Sequence, residues 1–294
     1  MSLSNYLSEI RKLVDQTLEK LLPPENEKPA VIHRAMRHSV FAGGKRMRPI
    51  LVFAAGECLG GRRDTLLHLG AAIEMMHTYS LIHDDLPALD NDDLRRGVPT
   101  CHKVFGEAMA ILAGDALMTS CYQALTGLPG VADAARVRII SELARATGTV
   151  RGMIGGQVVD IESEGKPVDA ATLEYIHHSK TGALLSACVR TGALASGASG
   201  ADLETMTRFG GKLGLVFQIV DDILDLTASS ETLGKTAGKD KKAQKATYPA
   251  LYGIDVSRRK ALELVDGALY DISGFGTEAD TLRELARFFI KRTA

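Results

Sequence analysis

Two groups of aspartates are the parts of the sequence that could most directly do chemistry. The first, SLIHDDLPALDNDDLRRG at 80–97, holds five aspartates between Asp84 and Asp93. The second, FQIVDDILDL at 217–226, places Asp221 and Asp225 at i, i+4 with Gln218 one turn earlier on the same helix face. Carboxylates at this spacing suit Mg²⁺, which prefers one or two carboxylates together with waters and substrate phosphates.

The first group begins where a predicted helix ends. Apolar residues at helical spacing lead from about Thr65 to the first aspartates. Several anions at a helix C-terminus repel one another and the helix dipole, so nearby cations must compensate. Pro87 interrupts the helix, and looping out two residues would return Asp90 to the face of Asp84. The two carboxylates would then form a site for a hard divalent cation.

The second group strengthens this interpretation. One acidic cluster is more often a solvated helix end than a metal site. Two clusters on apolar helices favour metal binding, because unpaired charges near a core are costly. Two such helices that face each other across a cavity could hold several Mg²⁺ ions between them.

Basic residues near these groups could bind phosphate. The stretch GGKRMRP at 43–49 puts Lys45 and Arg48 three residues apart, a plausible diphosphate grip, although a helix C-cap with basic dipole partners would look the same. Neither this stretch nor GKT at 234–236 fits a nucleotide-binding P-loop. The other basic candidates are Arg95 and Arg96 behind the first aspartates, Lys180 beside Thr181 in an apolar helix, and Lys235 and Lys245.

These last two lysines lie in 227–246, a lysine-rich stretch that predicts a mobile loop or an ordinary solvated surface loop. The whole inventory suits two polyphosphate substrates, one held through metals and one held directly by cations. Apolar helix surface between them would take a hydrocarbon tail.

The elements that must position these residues are predicted to be helices. Apolar residues recur at helical spacing, as in Leu3, Leu7 and Ile10, and turn stretches such as PPENEKP at 23–29 separate the segments. QVVDI at 157–161 fits a helix or a strand. About ten helices with no shift in composition predict an all-α fold and a single domain over 1–294.

The composition excludes several classes of function. The chain has 35 basic and 36 acidic residues, which gives no net field toward nucleic acid or a membrane surface. Four scattered cysteines match no metal or redox pattern and indicate reduced thiols. No apolar run of about 18 residues and no signal peptide are present. We therefore expect a cytoplasmic protein without nucleic-acid or membrane partners.

Six blocks, in order, resemble the trans-isoprenyl diphosphate synthases, most closely the bacterial farnesyl type. They are GGKRMRP, HTYSLIHDDLPALDNDDLRRG, ILAGDAL, GGQVVD, SKTGAL and FQIVDDILDL with the following LGK and KATYP. The resemblance implies the all-α isoprenoid synthase fold with a deep central cavity, a homodimer and three Mg²⁺ ions. It also implies condensation of isopentenyl diphosphate with a C5 or C10 allylic diphosphate.

The resemblance assigns roles residue by residue. Metal on the allylic diphosphate would be bound by Asp84, Asp90 and Asp221, and the same diphosphate would be contacted by Arg95, Lys180, Lys235 and Lys245. Isopentenyl diphosphate would be held by Lys45, Arg48, His77 and Arg96. The allylic cation would be faced by Lys180, Thr181 and Gln218, and the proton would leave with pyrophosphate.

Product length depends on the hydrocarbon channel. Tyr79 precedes Asp84 by five residues, about 7.5 Å along a helix axis, and could form the floor of a channel for a C15 product; plain core packing is the alternative. Asn91 also occurs in longer-chain relatives, so a C20 product stays open, and C10 is a further alternative. Lys291 and Arg292 could close over isopentenyl diphosphate or simply end a helix.

Three other functions compete with this one. A class I terpene cyclase shares the fold and the first acidic motif, but its second site normally differs from DDILD and it has no need of the Lys45 and Arg48 grip. A phosphohydrolase could use His77, His83 and Asp84, and would release orthophosphate. A regulatory subunit could keep the fold without activity, but here both acidic clusters and all the basic positions are occupied.

Overall fold

The computed structural model describes residues 2–198, 200–227 and 247–291. The predicted loop at 227–246 falls outside these residues except for Thr227, which ends a helix. The all-α prediction is confirmed, and QVVDI lies in a helix. The helices are α1 Leu3–Leu21, α2 Ala30–Val40, α3 Met47–Cys58, α4 Arg63–Asp84, α5 Cys101–Phe105, α6 Glu107–Thr126, α7 Asp133–Thr147, α8 Met153–Ser163, α9 Ala170–Ile176, α10 Ala183–Ala195, α11 Gly200–Thr227, α12 Tyr248–Tyr252, α13 Ile254–Asp271 and α14 Asp280–Lys291.

Three short elements complete the description. A two-stranded antiparallel hairpin pairs β1 Leu94–Arg95 with β2 Val98–Pro99. A π-helical turn, His177–Gly182, joins α9 to α10, and a 3₁₀ turn, Thr277–Ala279, precedes α14. None of the helices in the described ranges is long and apolar enough to span a bilayer.

The chain divides into two compact units. The first comprises 1–53 and 63–132, and the second comprises 54–62 and 133–294. The single domain over 1–294 stays a prediction.

The first unit is built on α4. This helix packs against α1 and α6, and α2 packs on α6. Most of the 22 residues of α4 are buried, as expected of an apolar helix surrounded by other helices. By contrast, α1 buries only Ile10, Val14 and Leu18, one stripe at a spacing of four residues. Helix α4 is therefore a fixed support for the polar residues near its C-terminus.

The second unit is built on α11, a helix of 28 residues that packs against α10, α13 and the π-helical turn. The π-helical turn also packs against α8. Its contact with α8 depends on Gly156, because a Cβ there would lie 2.2 Å from the backbone nitrogen of Lys180. A small residue at this crossing lets the π-helical turn approach α8 closely.

Candidate active site

The first acidic group lies on the turn that ends α4. Asp84 is the last residue of the helix, and the Asp90 N–H donates to the Asp84 carbonyl oxygen at 2.8 Å. Asn91 follows with a left-handed backbone, φ 48°, and its N–H donates to Leu86. The Asp90 backbone thus returns to Asp84, and the pairing of the two carboxylates stays a prediction. Both aspartates are half-buried.

Asp85 and Asp92 of the same group have a different role. Asp85 is buried, and its two oxygens share the Arg95 Nε–H in a bifurcated hydrogen bond at 2.7 and 2.9 Å. Arg95 Nη2 also lies 3.7 Å from Asp92. Burial raises the pKa of Asp85, and the Arg95 guanidinium opposes that effect. Arg95, predicted to contact the allylic diphosphate, is here the cation that compensates the acidic loop.

Arg95 and Arg96 diverge because a tight turn follows Arg95. Arg96 and Gly97 both have positive φ, 55° and 78°, the pattern of a two-residue turn whose twist matches a hairpin. The Arg96 Nη1 donates to the Gly43 carbonyl oxygen, in the connector that precedes α3. The two neighbouring cations of this hairpin thus contact two different loops.

The connector between α2 and α3 carries the other basic candidates. The C-cap alternative required Lys45 and Arg48 to lie near the last turn of a helix. Helix α2 ends at Val40, so they do not form its last turn. Arg48 lies in the first turn of α3, and its Nη1 donates to His77 Nε2 at 3.0 Å. Lys45 is exposed on the connector.

Arg46 holds this connector in place, a role that the motif analysis missed. Its backbone is left-handed, φ 51°, and its guanidinium is almost fully buried. It donates to Asp15 of α1 at 2.8 Å, to Glu74 of α4 at 3.0 Å and to the Val40 carbonyl oxygen at 2.7 Å. The sequence did contain a signal for this role, since Glu74 is an isolated acid within an apolar helix and needs a buried cation as its partner.

The electrostatics around His77 favour a bound anion. Burial, followed by the neighbouring arginines with Arg48 first, lowers the pKa of His77 well below its ordinary value, so the ring is neutral. Burial also lowers the pKa of Arg96. The Glu74 carboxylate opposes this effect, and the like charges of Arg46, Arg95 and Arg48 add to it. Among the described residues, no carboxylate lies within 4 Å of the Arg96 guanidinium. An anion placed here would relieve this excess of positive charge.

Tyr79 is 7% exposed on α4. Its ring meets the His83 ring edge-on, with centroids 5.5 Å apart. His83 Nε2 donates to the Ile111 carbonyl oxygen at 3.0 Å, so this histidine serves to join α4 to α6. The burial of Tyr79 is compatible with both the channel floor and core packing.

In the second unit, the π-helical turn carries Lys180 and Thr181. Lys180 Nζ donates to Asp160 of α8 at 2.6 Å. Turns of this kind widen a helix by one residue and occur often at functional sites. The apolar segment that sequence analysis found interrupted at Lys180 is therefore one helical path with a local expansion, which sequence reasoning did not anticipate.

The second acidic group lies on α11. Asp221 is half-buried, and Asp225 is buried one turn later. Asp222, which sequence analysis assigned no role, is 3% exposed and accepts from Gln218 Nε2 and from the Tyr248 N–H, both at 2.9 Å. The buried His177 ring lies beside it, with Nε2 3.3 Å from the carboxylate.

The carboxylates of the site are its candidate metal ligands. Within 2–198, 200–227 and 247–291, no three His, Cys, Asp or Glu side chains gather as a preformed metal cage. Asp84 and Asp90, joined through the backbone, nevertheless carry the oxygen ligands that suit Mg²⁺, which takes few protein ligands and completes its shell with waters and substrate phosphates. Lys235, Lys245 and Arg292 lie outside the described residues, and Lys291 is exposed at the end of α14.

Known proteins resemble this chain over nearly its whole length. The Polyprenyl synthetase family model matches residues 29–273. The chain belongs to the polyprenyl synthetase family. It is 44% identical to the farnesyl diphosphate synthase of Escherichia coli over 99% of both chains. It is 45% identical to the geranylgeranyl diphosphate synthase of Cyanophora paradoxa, over 99% of this chain and 97% of that one.

A solved polyprenyl synthetase structure agrees with the fold. The geranyltransferase of Helicobacter pylori, crystallised with magnesium and isoprenyl diphosphate, superposes with a TM-score of 0.85 at 33% identity, covering 99% of both chains. The isoprenoid synthase fold and the trans-prenyltransferase activity predicted from the sequence are thus confirmed. Enzymes of this family use Mg²⁺ and act on isoprenyl diphosphates. The comparisons do not favour the cyclase, phosphohydrolase or regulatory alternatives.

Proposed function

We propose that the enzyme condenses isopentenyl diphosphate with dimethylallyl or geranyl diphosphate, forms farnesyl diphosphate (C15) and releases pyrophosphate. The observation that carries the proposal is the group formed by Arg48, Arg96 and neutral His77 beside the glycine-containing connector. Two guanidiniums and a neutral imidazole match a diphosphate that must be held directly by the protein. The E. coli relative named farnesyl diphosphate synthase supports the product.

We assign isopentenyl diphosphate to the group of Arg48, Arg96 and His77, and Lys45 is the fourth residue that would bind it. Since His77 Nε2 accepts from Arg48, its proton lies on Nδ1, which can donate to a phosphate oxygen. His77 then binds as a neutral donor, and the positive charge comes from Lys45, Arg48 and Arg96.

The allylic diphosphate is assigned to the acidic residues. Asp84, Asp90 and Asp221 would hold three Mg²⁺ ions, which when bound stabilise the charge of the departing pyrophosphate. Arg95 keeps the acidic loop folded through Asp85, and Lys180, Lys235 and Lys245 supply further positive charge to the same diphosphate. The hydrogen bond from the Asp90 N–H to the Asp84 carbonyl oxygen supports this assignment, because it holds the two residues close together in the backbone.

The remaining residues act on the hydrocarbon. Oxygen atoms of the Lys180 and Thr181 region and of Gln218 face the allylic carbon where positive charge develops and so stabilise it, while the Lys180 ammonium serves the diphosphate. The isopentenyl double bond attacks this carbon, and the proton that must then be lost passes to the released pyrophosphate. No side chain is needed as the base.

We further propose that Tyr79 limits the product to C15. A geranylgeranyl (C20) product is the second candidate, supported by the Cyanophora relative and by Asn91, and geranyl (C10) is the third. Replacing Tyr79 with alanine opens the space of one aromatic ring, so products longer than C15 are expected. An unchanged C15 product from Tyr79→Ala would assign this ring to core packing. Tyr270→Ala, at an 80% exposed position, is the control.

The main test is product analysis with labelled isopentenyl diphosphate and geranyl or dimethylallyl diphosphate, with Mg²⁺ and with a chelator. The expected result is farnesyl diphosphate and pyrophosphate, with no product after chelation. Release of orthophosphate would instead indicate the phosphohydrolase, and a cyclic hydrocarbon would indicate the cyclase.

Two variants test the substrate assignment. Arg48→Gln and Arg96→Gln each remove a charged hydrogen bond of about 1.5–3 kcal/mol, so the KM for isopentenyl diphosphate should rise about tenfold to a hundredfold. The KM for the allylic substrate should change little. Arg63→Gln, at an exposed pair with Glu9, should change neither KM. An equal rise in both KM values would contradict the assignment.

We also propose a homodimer and one polyprenyl synthetase domain over 1–294. Exposed aliphatic side chains on α6, Ile111 at 45% and Leu112 at 49%, support an association surface, and a second copy is the proposed occupant. Light scattering of the purified protein should give twice the 31.5 kDa chain mass. A monomer at micromolar concentration would reject the dimer.

A further inference from the structure

We propose that Asp222 is a positioning residue that fixes the side-chain amide of Gln218, so that the amide presents its oxygen and not its NH₂ group to the allylic substrate. The inference rests on the proposed function, in which Gln218 faces the developing cation. Asp222 itself does not touch the substrate. Its effect on the reaction passes through Gln218.

Gln218 contacts Asp222 through the NH₂ end of its side-chain amide. Gln218 lies one turn before Asp222 on α11, and its Nε2 donates to Asp222 Oδ1 at 2.9 Å. An ionised carboxylate can only accept hydrogen bonds, so it binds only the NH₂ end of a glutamine amide. The oxygen end then points the other way. A neutral partner at this position could bind either end.

The second step is the rigidity of the carboxylate. Asp222 is 3% exposed, and its other oxygen accepts from the Tyr248 backbone N–H at 2.9 Å. The His177 Nε2 lies 3.3 Å from the same oxygen, and the His177 ring stacks on the Tyr248 ring with centroids 5.3 Å apart. The Tyr248 N–H of α12 and the adjacent His177 ring of the π-helical turn therefore hold the carboxylate in place. The orientation of the amide is set before substrate binds.

The third step is the chemistry of the outward atom. An amide oxygen carries partial negative charge and stabilises a carbocation, whereas an NH₂ group at the same place opposes it. A dipole fixed in advance costs no reorganisation when charge develops. Asp222 therefore determines the sign of the contribution that Gln218 makes. The adjacent Asp221, assigned to metal, has a different role despite its identical side chain.

Asp222→Asn is the most direct test. Asparagine can accept from the Tyr248 N–H through its oxygen and turn its NH₂ toward Gln218. Gln218 then has to bind this NH₂ through its own amide oxygen, which leaves the Gln218 NH₂ facing the substrate. We expect kcat to fall at least tenfold, and on the order of a hundredfold by analogy with the loss of one preorganised dipole. The KM values for both substrates should change less than threefold, because neither diphosphate is bound by Asp222.

A double-mutant cycle separates this role from a structural one. With Gln218→Ala no amide remains to be oriented, so adding Asp222→Asn should lower kcat by less than threefold more. If Asp222 serves only to hold α12 and the π-helical turn, the two effects multiply, and the inference is overturned. An unchanged kcat in Asp222→Asn would overturn it too.

Asp271→Asn is the matched control. Asp271 has an 8% exposed side chain in the same unit and accepts from Lys212 and Arg208 of α11. The variant Asp271→Asn should be less stable than the wild type and should keep the wild-type kcat. Absence of any product from the wild-type enzyme would instead reject the proposed function, which keeps the two failures distinct.

A second measurement does not require Asp222→Asn to fold. In protein labelled with ¹⁵N in glutamine side chains, one NH₂ pair should vanish in Gln218→Ala. In the wild type that pair should show a downfield proton and slow exchange with solvent, as expected of a buried bond to a carboxylate. An NH₂ pair with the chemical shifts of a solvent-exposed glutamine would refute the contact between Gln218 and Asp222.

Discussion

The buried guanidinium of Arg46 allows a quantitative prediction for the variant Arg46→Met. The side chains of Arg46 and Glu74 are each 2% exposed, so removal of the arginine leaves the buried carboxylate without its ion pair and with only the more distant charge of Arg96 acting on it. Breaking a buried pair from one side costs about 3–5 kcal/mol. The total free energy of unfolding of a domain is only about 5–15 kcal/mol. At about 2–4 °C per kcal/mol, the Tm should fall by roughly 6–20 °C.

The double variant Arg46→Met Glu74→Leu tests the physical cause. It removes both buried charges, while Asp15 has a 39% exposed side chain and stays hydrated. The remaining loss is the hydrogen bond to the Val40 carbonyl oxygen, about 1 kcal/mol. We therefore expect the double variant to regain most of the stability that the single variant loses.

Thermal unfolding followed by circular dichroism gives the Tm, and urea unfolding gives the free energy. Arg63→Met breaks an exposed pair with Glu9 and should cost less than about 1 kcal/mol. If the double variant is as unstable as Arg46→Met, the loss comes from packing of the connector and the argument from an uncompensated buried charge is wrong.

Two further predictions concern the second unit. Gly156→Ala places a Cβ 2.2 Å from the Lys180 nitrogen and should lower both Tm and kcat, while Gly211→Ala, with open space at its Cβ, should keep kcat and hold or raise the Tm. Glu142→Gln should destabilise the protein at pH 7. Burial raises the pKa of Glu142, but bonds from Arg190 and Arg145 outweigh it and lower that pKa below 4.5. Its stabilisation exists above pH 4.5 and is lost as pH falls through the folded pKa, so urea titrations of the two proteins should converge in acid.

The helical fold could be predicted from the sequence because helical periodicity is local. The stripe of Ile10, Val14 and Leu18 became the buried face of α1. The turn at Pro87 was also predictable, since proline cannot continue a helix. The same reasoning brought Asp90 back to Asp84. These inferences needed only residues close in sequence.

The remaining features depend on contacts between distant segments. Nothing near Asp222 in the sequence distinguishes it from Asp221, and its role comes from Tyr248, which lies 26 residues away. The expansion of the helix at Lys180 likewise depends on packing against α8 and α11. Local spacing gives the candidate residues for a site, whereas the direction of each side chain is decided by the tertiary structure.

The hairpin at Arg96 and Gly97 makes two adjacent cations separable by mutation. Arg95 is bound to the acidic loop and Arg96 to the connector before α3. A substitution at either position leaves the partner of the other unchanged. Under the proposed substrate assignment, affinity for one diphosphate can therefore be changed without redesigning the loop that receives the second, even though a single peptide bond joins the two residues.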